Sequence, residues 1–245
     1  MDAQKKETIS QLRREILALQ GVKPPVAGAA DTFGLGQIET AFPGGVFPCG
    51  AVHEFVCEAP EHGAASAGFI TGLLSKLMSR GGGACLWISR SRTVFPPALK
   101  AFGVEPDRII FASLPRERDV LWAMEEALKC SGFSAVAAEL NEISFTQSRR
   151  LQLAVEQSKV TGFIILSDPR KTRATACAAR WKITPLPSKL EKGMPGVGFP
   201  RWQVELLKVR NGNPGSSQLE WKAGRFVPLT PATITGEVSL GRKAG

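Results

Sequence analysis

One segment of the sequence, residues 59–66 (APEHGAAS), has the position of a phosphate-binding loop. It follows an apolar strand predicted over residues 51–56 and precedes a helix with an apolar face. Phosphate-binding loops read G-x-x-x-x-G-K-[ST], and their backbone N–H groups hold the anion together with a helix N-terminus. The lysine of the motif contacts the β- and γ-phosphates, and the hydroxyl binds Mg²⁺. The chemistry to test for is therefore nucleotide binding.

Only part of that chemistry is present. Ser66 supplies the hydroxyl and Gly63 is the one glycine of the segment, whereas Ala65 stands in the place of the lysine. Ala59 and Ala64 replace the two glycines, and a Cβ there blocks close approach of the backbone to phosphate. The sequence thus predicts a vestigial nucleotide loop without a bound cofactor. Weak binding of Mg²⁺-ATP stays open, and so does an ordinary strand–loop–helix without a ligand.

Other residue types that could do chemistry are poorly arranged. His53 and His62 are the only histidines, and neither has a cysteine or an acid at ligand or triad spacing. The cysteines are odd in number and lack C-x-x-C spacing, as is typical of free thiols: Cys49, Cys57, Cys85, Cys130 and Cys177. We assign no catalytic residue and no metal ligand.

The positive charge is concentrated in one part of the chain. Residues 1–169 hold 17 Lys and Arg against 18 Asp and Glu, whereas residues 170–225 hold 12 against 3. Such a segment is typical of a site for a polyanion or an acidic partner, although a solvated basic face has the same composition. We single out these candidates for contact with DNA or a partner: Lys189, Lys192, Arg201, Lys208, Arg210 and Asn211.

Strands and helices are predicted to alternate through the centre of the chain. Apolar strands at 84–88, 108–112, 133–140 and 162–167 are separated by helices at 116–130 and 146–159, and another helix is expected at 173–181. This alternation predicts an α/β fold whose mostly parallel sheet is flanked by helices. Residues 202–209 and 218–221 then predict an antiparallel C-terminal hairpin, followed by a short strand at 225–229. Trp202 and Trp221 face each other across it, either in the core or as an exposed aromatic pair beside Arg210.

The ends of the chain and one internal stretch have a different character. Apolar residues at helical spacing predict an amphipathic N-terminal helix over 7–20, followed by a linker rich in Pro, Ala and Gly. Residues 184–200 are rich in Pro, Gly and Lys and predict a long loop. We therefore divide the chain into a helix and linker (1–31), a core domain (32–229) and a weakly structured tail (230–245). No apolar run is long enough to predict a membrane span, and we expect a cytoplasmic, nucleoid-associated protein.

This order of elements resembles the RecA-type ATPase core from about residue 33 to 229. Pro60, Glu61 and Ser66 fall where RecA recombinases have the corresponding loop residues, and residues 131–140 resemble their segment leading to the Walker B acid. Within that superfamily the chain resembles the ImuA family of damage-inducible mutagenesis accessory proteins. Two stretches carry that likeness: LGQIETAFPGGVFPCGAVHEF before the loop and RWQVELLKVRNGNPGSSQLEW near the end.

The resemblance implies an ATPase that has lost its catalytic groups. Glu139 takes the Walker B position, with Leu140 as the alternative alignment. The acid that activates water should follow the strand at 84–88, but Ser-Arg-Ser-Arg follows instead. The hairpin Lys208-x-Arg210-Asn211-Gly212 resembles the K-x-R-N-G hairpin of hexameric helicases, which reaches a neighbouring subunit's γ-phosphate. A phosphate backbone, or no ligand at all, fits the same residues. Residues 184–200 take the place of the DNA-facing loop.

The ImuA resemblance implies a non-catalytic adaptor in SOS-induced translesion synthesis. The partners it implies are ImuB, which is an inactive Y-family polymerase homologue, and an error-prone replicative-type polymerase subunit. RecA, single-stranded DNA and self-association are further expectations. Two other functions stay open: a DNA-dependent ATPase of RecA type with an unconventional nucleotide site, and a cell-division inhibitor of the SulA type.

Overall fold

A computed structural model describes residues 32–91, 94–168, 174–189 and 198–229. Their strands form one nine-stranded sheet in the order β3-β2-β4-β5-β1-β6-β7-β8-β9. The strands are β1 Val52–Val56, β2 Ala84–Ser89, β3 Ile109–Ser113, β4 Phe133–Leu140, β5 Thr161–Leu166, β6 Ala179–Leu186, β7 Arg201–Val209, β8 Gly215–Lys222 and β9 Arg225–Pro228. The predicted N-terminal helix (7–20), its linker and the tail from residue 230 lie outside the described residues.

Among the described residues, three α-helices connect the strands of the parallel half. They are α1 Pro60–Arg80, α2 Glu117–Lys129 and α3 Phe145–Ser158, and four short 3₁₀ helices lie at Gly36–Ala41, Pro43–Gly45, Pro96–Phe102 and Pro106–Arg108. Local sequence determines where α3 begins, because Ser144 and Gln147 form a capping box. No helix in the described part of the chain is long and apolar enough to cross a membrane.

The sheet confirms the predicted fold class. Strands β1 to β6 pair in parallel, in the order β3-β2-β4-β5-β1-β6. Strands β6, β7, β8 and β9 pair antiparallel, each with the next. The central strands are buried on both faces, which explains apolar runs such as the fully buried strand Thr161–Leu166. Helix α1 covers one face, and α2 and α3 cover the other, so two separate apolar cores form.

The core under α1 is rich in aromatic side chains. The rings of Phe55 and Trp181 stack with their centroids 5.8 Å apart, and Phe69 of α1 packs 5.0 Å from Phe226 of β9. Helix α1 approaches the C-terminal strands closely because of Gly72. A Cβ at that position would lie 2.6 Å from the Phe226 ring and 3.0 Å from the Trp221 ring. The glycine therefore fixes the distance between the helix and the antiparallel half of the sheet.

The helix predicted at 173–181 is wrong. Residues 174–178 have no regular structure, and Ala179–Leu186 forms strand β6. Buried Ala179, Trp181 and Ile183 alternate with half-buried Arg180 and Lys182, so the period is two. Alanine favours helices by less than 1 kcal/mol per residue, and pairing of β6 with β1 and β7 outweighs that preference.

The loop predicted at 184–200 is shorter than expected at its N-terminal side. Strand β6 continues through Leu186, although it contains Pro185. The proline is compatible with the strand because β1 pairs only with Ala179 to Trp181, which lie before it. Residues 187–189 and 198–200 are irregular, and residues 190–197 lie outside the described part of the chain.

The predicted C-terminal hairpin is confirmed. Strand β7 pairs antiparallel with β8, and β8 pairs antiparallel with β9. The turn between β7 and β8 places Asn211 in the left-handed region at φ 59°. It also brings Gly212 against Ala41, and a Cβ on Gly212 would lie 2.2 Å from the Ala41 carbonyl oxygen. The glycine of the R-N-G turn thus permits close packing on the 3₁₀ helix Gly36–Ala41.

Candidate functional site

A cleft lies at the carboxyl ends of the parallel strands. We call it the strand-end cleft. It has a volume of about 860 Å³ and is lined by residues that follow β1, β2, β4 and β5. Open α/β sheets bind their ligands at this edge, where connections leave toward opposite faces of the sheet. Its polar lining includes Glu58, Arg90, Ser91, Glu139 and Asn141.

The phosphate-loop segment borders this cleft but is not a loop. Helix α1 begins at Pro60, so only residues 57–59 separate it from β1. Gly63, Ala64, Ala65 and Ser66 lie in the first two turns of the helix, where the sequence predicted a loop. From Gly63 onward, helical geometry directs each N–H to a carbonyl four residues earlier. Those N–H groups are therefore committed to the helix.

The early start of α1 has a local cause. Proline at the first helical position has a φ suited to the helix and lacks an N–H that the first turn would leave unpaired. Alanines at 64, 65 and 67 favour helix over the extended loop that glycines would permit. Replacement of the loop glycines thus changes the backbone as well as the side-chain chemistry.

The hydroxyl of Ser66 is inside the protein. Ser66 is fully buried, and its Oγ lies 3.7 Å from the Cys57 Sγ. Burial raises the pKa of the Cys57 thiol above its usual value, so the thiol stays protonated at neutral pH. A protonated thiol can share a weak hydrogen bond with the hydroxyl. Ala65 is also buried.

Glu139 lies at the edge of the cleft and is held by a neighbouring strand. Its Oε1 accepts a 2.9 Å hydrogen bond from the Trp87 indole Nε1. Across the cleft, the Glu58 carboxylate pairs with Lys182 at 2.5 Å, and this pairing lowers the pKa of Glu58. No lysine lines the described cleft, whose only lining cation is Arg90. The described lining of the cleft thus holds one cation, Arg90, and two acids, Glu58 and Glu139.

The hairpin residues are placed in different environments. Lys208 is half-buried, and its Nζ donates a 2.7 Å hydrogen bond to the Thr175 carbonyl oxygen. Arg210 is exposed, although its backbone N–H is bound to the carbonyl of Ala178. Asn211 is exposed at the turn. Arg210 and Asn211 thus lie at the surface, and the Lys208 ammonium is bound to its own chain.

Several cations of the basic segment are paired within the protein. Arg201 contacts Glu220 at 2.6 Å, and both side chains are at least three-quarters buried. Arg180 contacts the fully buried Glu54 at 2.7 Å. Lys189 is exposed, and Lys192 lies outside the described residues. The charge excess counted in the sequence therefore overstates the surface charge of this segment.

The two tryptophans of the hairpin do not form an exposed pair. Trp202 and Trp221 are both almost completely buried, so that interpretation is wrong. Trp202 lies opposite Leu219, and the Trp221 indole donates a hydrogen bond to the carbonyl of Ala101. Both side chains point to the core under α1 because their alternation along β7 and β8 places them on the inner face.

A buried polar network was not foreseen in the sequence. Glu54 is fully buried in β1, and its Oε1 accepts hydrogen bonds from Thr175 Oγ1 at 2.6 Å and Arg180 Nε at 2.7 Å. The network joins the parallel half of the sheet to the antiparallel half. The signal that could have revealed it is an acid inside an otherwise apolar strand, because a buried carboxylate requires partners.

His53 is a core residue. Its Nε2 donates to the Pro48 carbonyl at 2.8 Å, and its Nδ1 accepts from the Trp181 indole at 3.3 Å, which fixes the neutral tautomer. The ring stacks on Phe47 with centroids 4.6 Å apart. Burial lowers the pKa of His53 to about 4. No three His, Cys, Asp or Glu side chains come together as a metal site in the described residues.

Comparison with known proteins identifies the family. No family model matches the chain. Protein ImuA of Caulobacter vibrioides, in strains NA1000 / CB15N and ATCC 19089 / CIP 103742 / CB 15, is 36% identical over 195 residues, which cover 75% of this chain and 80% of the relative. The chain belongs to the ImuA family. Membership in the ImuA family assigns it to the damage-response mutagenesis proteins.

Proposed function

We propose that this ImuA-family chain is a RecA-like adaptor that acts by binding and has no working ATPase. The observation that carries the proposal is the start of α1 at Pro60. A phosphate cradle needs several free N–H groups that converge on one anion, and a helix that begins at Pro60 commits the N–H groups of residues 63–66 to its own carbonyls. The alternation of strands and helices supports the RecA-like interpretation of the core.

The remaining catalytic positions support the same proposal. Phosphoryl transfer depends on positioning and on electrostatic stabilisation of the transferred group. The lysine position is a buried alanine, Ala65, and the hydroxyl of Ser66 is fully buried. Ser89 ends β2, and Arg90 and Ser91 follow it, where an acid would activate water. Glu139, in the Walker B position, is bound by the Trp87 indole.

The adaptor's partners are proposed from the family. They are the polymerase homologue ImuB and an error-prone replicative-type polymerase subunit, with RecA and single-stranded DNA as further partners. For DNA, the candidates are the exposed cations in the described part of segment 170–225: Lys189, Arg210 and Arg225. Contacts of this kind release counterions, so their affinity falls steeply as salt rises.

The first test measures binding of single-stranded DNA by fluorescence anisotropy at several salt concentrations, with and without Mg²⁺-ATP. The adaptor predicts salt-sensitive binding that does not change with ATP, and no ADP release. Arg210→Ala should weaken binding and reduce its salt dependence, whereas Lys100→Ala, which removes a 66% exposed cation outside the basic segment, should not. ATP-dependent binding would contradict the proposal.

A second candidate function is a DNA-dependent ATPase of RecA type. The strand-end cleft favours it, because the cleft lies beside the phosphate-loop segment and contains Glu139. That function predicts DNA-stimulated release of ADP that Ser66→Ala abolishes. Since Ser66 is buried in the described structure, the adaptor predicts that Ser66→Ala leaves both DNA binding and the absence of hydrolysis unchanged.

A further inference from the structure

Strand β3 is the outer strand of the described sheet, and it is regular. Its five residues pair in unbroken parallel register with Cys85 to Ser89 of β2. The Leu114 N–H donates to the Ser89 carbonyl, so the even-numbered residues direct their backbone groups toward β2. The odd-numbered residues Ile109, Phe111 and Ser113 therefore direct their N–H and C=O groups away from the sheet.

This edge lacks the features that normally prevent pairing. The sequence of β3 is Ile-Ile-Phe-Ala-Ser, without a charge, a proline or a bulge. Ile110 is 52% exposed and Phe111 is 39% exposed, on opposite faces of the strand. The other outer strand, β9, carries Arg225 and Pro228, which blunt an edge. Of the two outer strands in the described sheet, only β3 is uncharged and free of proline.

We propose that two copies of this chain associate through β3, in antiparallel pairing about a two-fold axis at Phe111. Phe111 of one copy then lies opposite Phe111 of the other, and Ile109 lies opposite Ser113. The outward N–H and C=O groups of these three residues would form about six hydrogen bonds between the copies. The result is one sheet that continues across the dimer, with an isologous contact.

The side chains favour a second copy as the occupant. With Phe111 on the axis, the two phenyl rings pack against each other on one face, and Ile110 lies opposite Ala112 on the other. The nearest charged residue, Arg108, lies opposite Leu114, so the two copies of Arg108 are about 20 Å apart. The strand is therefore complementary to itself, in shape and in the absence of charge. This inference does not depend on the proposed adaptor function.

The strength of the contact can be bounded. A pair of five-residue strands buries less surface than the roughly 1,600 Å² of a standard interface. We therefore expect a weak dimer, with a dissociation constant of about 1 μM or higher. Such a dimer dissociates on dilution, which makes its concentration dependence measurable.

The first experiment is sedimentation equilibrium of the full chain over a wide range of concentrations. We expect the weight-average mass to rise from monomer to dimer. Phe111→Lys places two ammonium groups opposite each other on the axis and should raise the dissociation constant by about tenfold or more. Leu153→Lys makes the same change at a 49% exposed position on α3 and should leave it unchanged. A monomer at every concentration, or a dimer that Phe111→Lys does not weaken, overturns the proposal.

Cysteine cross-linking tests the register. In a background with the exposed Cys49 and Cys130 changed to Ser, Phe111→Cys should form a disulfide-linked dimer under mild oxidation, because paired Cα atoms lie about 5.5 Å apart. Ser113→Cys is the matched control, since the two copies of residue 113 would be about 13 Å apart. Cross-linking of Ser113→Cys as fast as Phe111→Cys, or of neither variant, contradicts pairing on Phe111.

Discussion

The Trp87 indole Nε1 donates a 2.9 Å hydrogen bond to Glu139 Oε1, from strand β2 to strand β4. Trp87 pairs in register with Ala137, so Glu139 lies two residues nearer the carboxyl edge on the same face. The bond orients a half-buried carboxylate at the edge of the strand-end cleft. It gives Glu139 a structural role that does not require a nucleotide.

Trp87→Phe tests that role. The change removes the donor but retains an aromatic ring, and it deprives a half-buried carboxylate of a hydrogen bond. We expect it to lower the free energy of unfolding by about 1–3 kcal/mol, measured by urea denaturation. Glu139→Gln keeps an oxygen acceptor for the indole and should cost less. A larger loss in Glu139→Gln than in Trp87→Phe would contradict the structural role.

Restoring the loop lysine should not restore nucleotide binding. In Ala65→Lys the new side chain starts from a buried position in the second turn of α1. The variant therefore loses stability, by about 1–3 kcal/mol for a strained or desolvated lysine. We expect no binding of Mg²⁺-ATP by isothermal calorimetry, since the backbone N–H groups remain in the helix. Ala64→Lys, on the cleft side of the same turn, serves as the control for added charge. Tight ATP binding by Ala65→Lys alone would show that the loop can still form.

The burial of His53 predicts a pH-dependent stability. The pKa of His53 is about 4 in the folded chain and 6.5 in the unfolded chain. Between pH 4 and pH 6.5, His53 is therefore protonated in the unfolded chain and neutral in the folded chain. The free energy of unfolding is therefore unaffected by protonation of His53 above pH 6.5. It decreases as the pH falls toward 4, by up to about 3 kcal/mol. His53→Gln stays neutral while keeping a donor and an acceptor. The stability difference between wild type and variant should therefore narrow as pH falls from 7 to 4, measured by denaturant titration. If the stability difference between wild type and variant stayed constant from pH 7 to pH 4, titration of His53 would not contribute to the pH dependence of stability.

Gly72 sets the approach of α1 to the C-terminal strands. Gly72→Ala would normally favour a helix, by roughly 0.5–1 kcal/mol. Here the added Cβ would lie 2.6 Å from the Phe226 ring, so we expect net destabilisation of about 1–3 kcal/mol. Gly63→Ala is the matched control in the same helix, because a Cβ there meets nothing within 4 Å and should stabilise slightly. Thermal unfolding should therefore show a lower melting temperature for Gly72→Ala and a slightly higher one for Gly63→Ala.

Two kinds of sequence pattern predicted the structure correctly. Strands such as Phe133–Leu140 and Thr161–Leu166 have the apolar runs that are typical of strands buried on both faces. Helices such as Phe145–Ser158 have a capping residue at their start, which is a local helix signal. These signals act over a few residues and do not depend on partners. The ImuA family was likewise predicted from two stretches, residues 35–55 and 201–221, and the relatives in Caulobacter vibrioides confirm it.

The errors arose where distant residues decide the outcome. Residues 174–179 (ATACAA) are rich in alanine and suggest a helix that continues to residue 181. Pairing with β1 and β7, which are distant in the sequence, makes residues 179–186 a strand instead. The basic segment 170–225 reads as a charged surface, yet Arg180 meets Glu54 across 126 residues of sequence and Lys182 meets Glu58 across 124. Ion pairs of this kind depend on strand order, which composition does not encode.

By itself, the sequence determined the alternation of strands and helices, the C-terminal hairpin, the missing lysine of the loop and the family. These follow from periodicity, turn residues and residue identity, which are local properties. Only the tertiary structure decided that Ser66 is buried, that Trp202 and Trp221 belong to the core, and that β3 presents an uncharged edge. Burial and exposure depend on which elements pack together, and that packing is set by the whole chain at once.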